Sequence, residues 1–139
     1  MPCDADYYAE MERLTRRAAD RLVPCMNDTK WREVFACMAR HGLQFGIAWV
    51  RNDAWDTQIL HRVWESWIGT HGIRDPGIGG PCDYWEILWI RVPVALPNTY
   101  WGRVPERQPI EPFLAELASL GSLPLKQTEE YVEVRGYES

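Results

Sequence analysis

The run Tyr84 to Val92 constrains this chain more than any other segment, because aromatic and β-branched side chains fill both of its alternating faces. A strand of that kind cannot leave one face in water, so it reads as a central strand of a sheet covered on both sides. Around it lie two apolar stripes of helical period. Trp31, Val34, Phe35 and Met38 form one, opened by the candidate cap oxygens of Asn27, Asp28 and Thr29 and closed by Gly42. Ile110, Phe113, Leu114, Leu117 and Leu120 form the other, with Pro109 and Pro112 near its start and Gly121 past its end. Strand patterns between helical patterns predict an α+β fold.

The remaining elements follow the same periods. Residues 5–22 predict a first helix with Tyr7, Met11, Leu14, Ala18 and Leu22 on its apolar side, ended by Pro24. Leu43 to Val50 alternates as a half-buried strand, with Leu43, Phe45, Ile47 and Trp49 on one face. The tail from Leu123 to Tyr137 predicts one or two strands, with Val132 and Val134 inward and Glu133 and Arg135 outward. Residues 52–81 read as an irregular, Trp-rich insertion ending in a turn-rich loop. The expectation is one α+β domain over 1–139: a helix in 1–24, then an α+β core over 27–137. Its small, mostly antiparallel sheet of about three to five strands packs against two or three helices.

Charge and composition narrow the function. The net charge is −5, which disfavours nucleic acid and anionic membrane as partners and suits a basic protein. No stretch reaches the roughly 20 apolar residues of a membrane helix, and the acidic start Met1 to Asp6 lacks signal-peptide character, so a cytoplasmic location is expected. Cys3, Cys25, Cys37 and Cys82 have no C-x-x-C spacing and read as free thiols.

Catalytic motifs are weak. Gly77, Gly79 and Gly80 lead into Pro81 and a strand, not a helix N-terminus, so they read as a turn and not a phosphate loop. Ser66, Ser119 and Ser122 sit in no nucleophile elbow. Cys37 and His41 have the i, i+4 spacing of a chelating pair, but a complete metal site needs two more ligands, so no metal and no other cofactor is expected. His61 and His71, near Asp53, Asp56 and Glu65, are the material for an acid–base or ligand-binding alternative in the Trp-rich loop. A homo-oligomer with tryptophans buried between protomers is a further alternative.

Binding features are stronger. Eight tryptophans in 139 residues are more than a small core can hide, and tryptophan concentrates at binding hot spots. Trp31, Trp49, Trp85 and Trp89 lie on periodic elements and are assigned to the fold. Trp55, Trp64, Trp67 and Trp101 lie on irregular segments and are the candidate partner-binding residues. Glu129, Glu130 and Glu133 join them as an acidic edge that complements a basic partner.

The segment Asn27-Asp28-Thr29-Lys30-Trp31-Arg32-Glu33 resembles the N-[ND]-T-K-W-R-E helix start of a family of short bacterial proteins of unknown function. The W-I-R-V ending of the strand at Trp89 to Val92 and the closing Gly136-Tyr137 also resemble that family. In size, acidity and α+β make-up such proteins are similar to the immunity proteins that neutralise polymorphic toxins. The resemblance implies an antitoxin-like protein that occludes the active site of a cognate toxin, such as a nuclease with a basic cleft. It implies no catalytic residues.

Overall fold

The computed structural model describes residues 4–50, 60–74, 82–96 and 106–138. Its backbone order is α1 (Asp4–Asp20), β1 (Val23–Pro24), α2 (Asp28–His41), β2 (Gln44–Trp49), β3 (His61–Arg62), β4 (Gly72–Ile73), β5 (Cys82–Asp83), β6 (Ile87–Pro93), α3 (Ile110–Ser119), β7 (Leu125–Gln127), β8 (Tyr131–Arg135) and β9 (Tyr137–Glu138). Five strands form one antiparallel sheet in the order β3-β2-β6-β8-β7, and β1-β9 and β4-β5 form two small ribbons. The architecture is a single small α+β domain.

The second helix forms where its local signals place it. Asn27 has extended backbone, and its side chain accepts the Lys30 N–H, filling one of the donors a helix start leaves open. Gly42 ends the helix in the left-handed region at φ 61°, which glycine enters without steric cost. Between them Trp31, Val34, Phe35 and Met38 are buried at spacings of three and four, as the stripe predicts. Phe35 stacks on Trp31 at 5.6 Å and on Tyr84 at 5.9 Å, and tilts against Phe45 at 5.7 Å, so it joins α2 to the sheet. Ile110, Phe113 and Leu117 of α3 are buried in the same core.

One face of the sheet carries Ile47, Ile90 and Val134 in cross-strand register, with Val92 and Val132 beside them. All five are buried under the helices' apolar stripes. The opposite face is polar and aromatic: Ala48, Trp89 and Arg135 align, as do Gly46, Arg91, Glu133 and Lys126. β2 is therefore buried on both faces, where the alternation predicts one. Its second face holds the small Gly46 and Ala48, opposite the large Arg91 and Trp89 of β6, and small residues there register as neutral in sequence.

Four further expectations are corrected. The aromatic strand starts at Ile87, because Tyr84–Glu86 turns as 3-10 helix, with the Asp83 N–H donating to the Glu86 carboxylate at 2.7 Å. The tail forms three strands, not one or two. Among the described side chains of α1, Thr15 is buried and Met11 and Ala18 of the expected stripe are half-buried, whereas Tyr7 and Leu14 are exposed. Arg16 instead attaches the helix, its guanidinium lying 4.3 Å from the centre of the Trp85 ring.

Glu133 is the largest correction. Strand alternation does put it on the face opposite Val132 and Val134, but that face is covered and its side chain is 0% exposed. Arg91 Nε bonds one carboxylate oxygen at 2.7 Å and Arg135 Nη1 the other at 2.8 Å. Arg91 also lies 4.0 Å from the Trp89 ring centre and 4.5 Å from that of Tyr131. Glu133 is an interior carboxylate held by two arginines, not a contact offered to a partner.

The closing Gly136-Tyr137 pair has a packing reason. A Cβ on Gly136 would stand 2.3 Å from the Ile87 carbonyl oxygen and 3.2 Å from the Trp31 ring. Gly136 N–H donates to Leu88 O, its carbonyl accepts from Cys25 N–H, and the Tyr137 hydroxyl donates to Trp85 O at 2.6 Å. The pair thus locks β9 against β1 and the start of β6.

Candidate functional site

Two groups of predicted residues come together at one end of the five-stranded sheet. β2 begins there at Gln44, β6 ends there at Pro93, and β8 begins there at Tyr131. Gln108 fastens this end. Its Oε1 accepts from Gln44 N at 2.7 Å, and its Nε2 donates to Gln44 O at 2.9 Å and Pro93 O at 2.8 Å. Leu96 N–H donates to Glu106 O at 2.7 Å, joining the residues on either side of 97–105.

At one edge, the chain leaving β3 places Val63 in the core and then turns through a 3-10 helix, Glu65–Trp67. Trp67 is half-buried against the core, while Trp64 is left 50% exposed. Arg62 lies 4.6 Å over the Trp64 ring, and Trp67 meets it edge-on at 6.4 Å. Trp64 is an exposed aromatic held in place from two sides. Trp67 belongs mainly to the packing that holds it.

At the other edge, Thr128 shapes the turn between β7 and β8. Its hydroxyl accepts from Glu130 N and Tyr131 N, and Glu130 O accepts from Val94 N. The turn leaves Glu129 and Glu130 exposed. β3 and β7 are four strand spacings apart, so the aromatic and acidic edges stand about 19 Å from each other. Trp55, Trp101 and the Gly77, Gly79, Gly80 loop lie outside the described residues.

Among the described residues, the two histidines sit in different surroundings. His61 sits on β3 with its ring 6.2 Å from Phe45. His71 is largely exposed and its Nδ1 is 2.7 Å from an Asp28 oxygen. A groove of about 330 Å³ beside His71 is lined by Ile73, Arg74, Cys82, Asp83 and Glu86, with neither His61 nor a tryptophan among its described residues.

A cluster that sequence spacing foreshadows only in part lies between α2 and α3. The Cys37 thiol donates to Glu116 Oε2 at 2.6 Å, and His41 Nε2 is 2.9 Å from the same oxygen. Arg40 Nε and Nη2 donate to Glu116 Oε1 at 2.9 and 2.6 Å. The thiol, arginine and imidazole contacts hold the Glu116 carboxyl below its ordinary range. Burial, then the adjacent carboxylate, push the Cys37 thiol up to about 12. A thiol held protonated is a poor nucleophile at neutral pH, which disfavours the trio as a Cys–His hydrolytic centre. Cys37 and His41 are one helical turn apart and visible as a pair. Glu116 stands 75 positions beyond His41, beside the buried stripe of α3, and nothing local marks it.

Burial raises three groups together, Cys37, Cys82 and Tyr84, each to about 12. A raised folded-state value stabilises the protein fully below the unfolded value and is lost as pH rises towards the folded one. Urea unfolding should therefore show stability falling by at least about 1 kcal/mol per pH unit above pH 9, the ordinary thiol value. The Cys37→Ser/Cys82→Ser variant should show a shallower fall; an unchanged slope contradicts the assignment.

No family model matches the chain, and no curated protein or solved structure matches it.

Proposed function

We propose that this protein is an antitoxin-like inhibitor that binds a cognate bacterial toxin and occludes its active site, using the sheet end that carries Trp64, Glu129 and Glu130. The observation behind this reading is the Trp64 ring, half-exposed yet held between Arg62 and Trp67. An aromatic fixed in advance buries a large area on binding and loses little conformational freedom. The acidic turn lies about 19 Å away, within the span of an ordinary interface of about 800 Å² per partner. Its two carboxylates, with a net charge of −5, complement a basic catalytic cleft such as that of a nuclease and speed encounter with it.

Co-expression with a toxin domain, should the same locus encode one, tests the proposal. Wild-type protein should restore growth, whereas the Trp64→Ala/Glu129→Lys/Glu130→Lys variant should fail to protect while remaining folded. Loss of protection by the wild type overturns the function. Full protection by the variant overturns the interface.

A further inference from the structure

Cys37 and His41 lie one turn apart on α2 and face Glu116 on α3, so a thiol sulfur, an imidazole nitrogen and a carboxylate oxygen meet within 4.8 Å of one another. Sulfur and imidazole select a borderline-soft divalent ion over calcium or magnesium. We propose that Cys37 Sγ, His41 Nε2 and Glu116 Oε2 form a zinc site bridging α2 and α3, with a fourth position left for water. This inference is independent of toxin binding.

Geometry, access and charge support it. Zinc binds these atom types at about 2.0–2.3 Å, which sets tetrahedral ligand separations near 3.5 Å. The present separations of 2.6 and 2.9 Å to Glu116 are hydrogen-bonding distances, so a modest rotation of the Glu116 side chain opens the site. The Cys37 sulfur is at the bottom, while the His41 and Glu116 side chains are 25% and 30% exposed and form the entrance. One thiolate and one carboxylate offset the charge of a divalent cation, and the Arg40 guanidinium leaves the occupied site with a single net positive charge. Arg40 holds the second oxygen, Oε1, and thereby fixes the carboxylate from behind, as outer partners of metal ligands do. Binding exchanges the thiol proton for the metal, and the proton leaves with solvent.

Cobalt(II) titration of the chelator-treated full chain reports the site directly. One equivalent should produce a thiolate-to-cobalt charge-transfer band together with the visible absorption of a tetrahedral ion, and zinc should abolish both. Zinc should also raise the thermal midpoint of the wild type, because it binds the folded chain. Cys37→Ser should lose the charge-transfer band, and His41→Ala and Glu116→Gln should lose saturation at one equivalent. Absence of the band in folded wild-type protein overturns the proposal and needs no variant to fold. Persistence of the band in Cys37→Ser places the ion on another thiol and overturns it too.

Discussion

Glu133→Ala should destabilise the domain by about 3 kcal/mol, one of the two largest single-residue losses expected here. The carboxylate is fully buried, and both of its oxygens are bonded to guanidinium groups. Removing it takes away the buried carboxylate that Arg91 and Arg135 share. Deleting one partner of a buried pair costs about 3–5 kcal/mol; the lower end applies because both arginines retain some solvent contact. Glu133→Gln keeps the shape and one acceptor, and should lose about half as much. Urea unfolding at constant m-value measures both, and a loss under about 1 kcal/mol for Glu133→Ala would show that the pair is effectively solvated.

Phe35→Ala should cost about 3–5 kcal/mol, a large share of the 5–15 kcal/mol typical of a whole domain. Its ring is buried among Trp31, Phe45 and Tyr84, so truncation removes contacts on three sides and leaves a cavity whose walls belong to a helix, a strand and a 3-10 turn. Those walls cannot collapse together without moving β2 relative to α2. Phe35→Leu fills most of the volume and should lose about half as much. Near-neutral behaviour of Phe35→Ala would mean that the aromatic stack is not what joins α2 to the sheet.

The parts of the fold that were legible in sequence are those whose signals are local. α2 announces itself through Asn27, a four-residue apolar stripe and Gly42, and α3 through Ile110, Phe113 and Leu117. Glu133 was misread because alternation reports which face a side chain takes, not whether that face is covered. The covering depends on long side chains, Arg91 from the neighbouring β6 and Arg135 from Glu133's own strand, that look like surface residues one at a time. The stripe of α1 misled for the opposite reason. Its apolar spacing is regular, yet Arg16 lies over the Trp85 ring and Thr15 is buried, while Tyr7 and Leu14 of the stripe are exposed.

The candidate sites divide in the same way. Trp64 and Trp67 read alike in sequence, but the 3-10 turn between them sends one ring outward and the other against the core. Glu129 and Glu130, expected on an acidic edge, are exposed on a turn that Thr128 holds through its hydroxyl. Glu116 was invisible as a partner of Cys37 and His41, since only the packing of α3 on α2 brings it there.

Hydrogen exchange of the protein with and without the proposed toxin partner tests the proposed binding at the sheet end most directly. Binding should slow exchange of the amides around Trp64 to Ile68 and Thr128 to Tyr131, the two edges of that end. Protection confined to α1 or α3, with both edges unchanged, would contradict it.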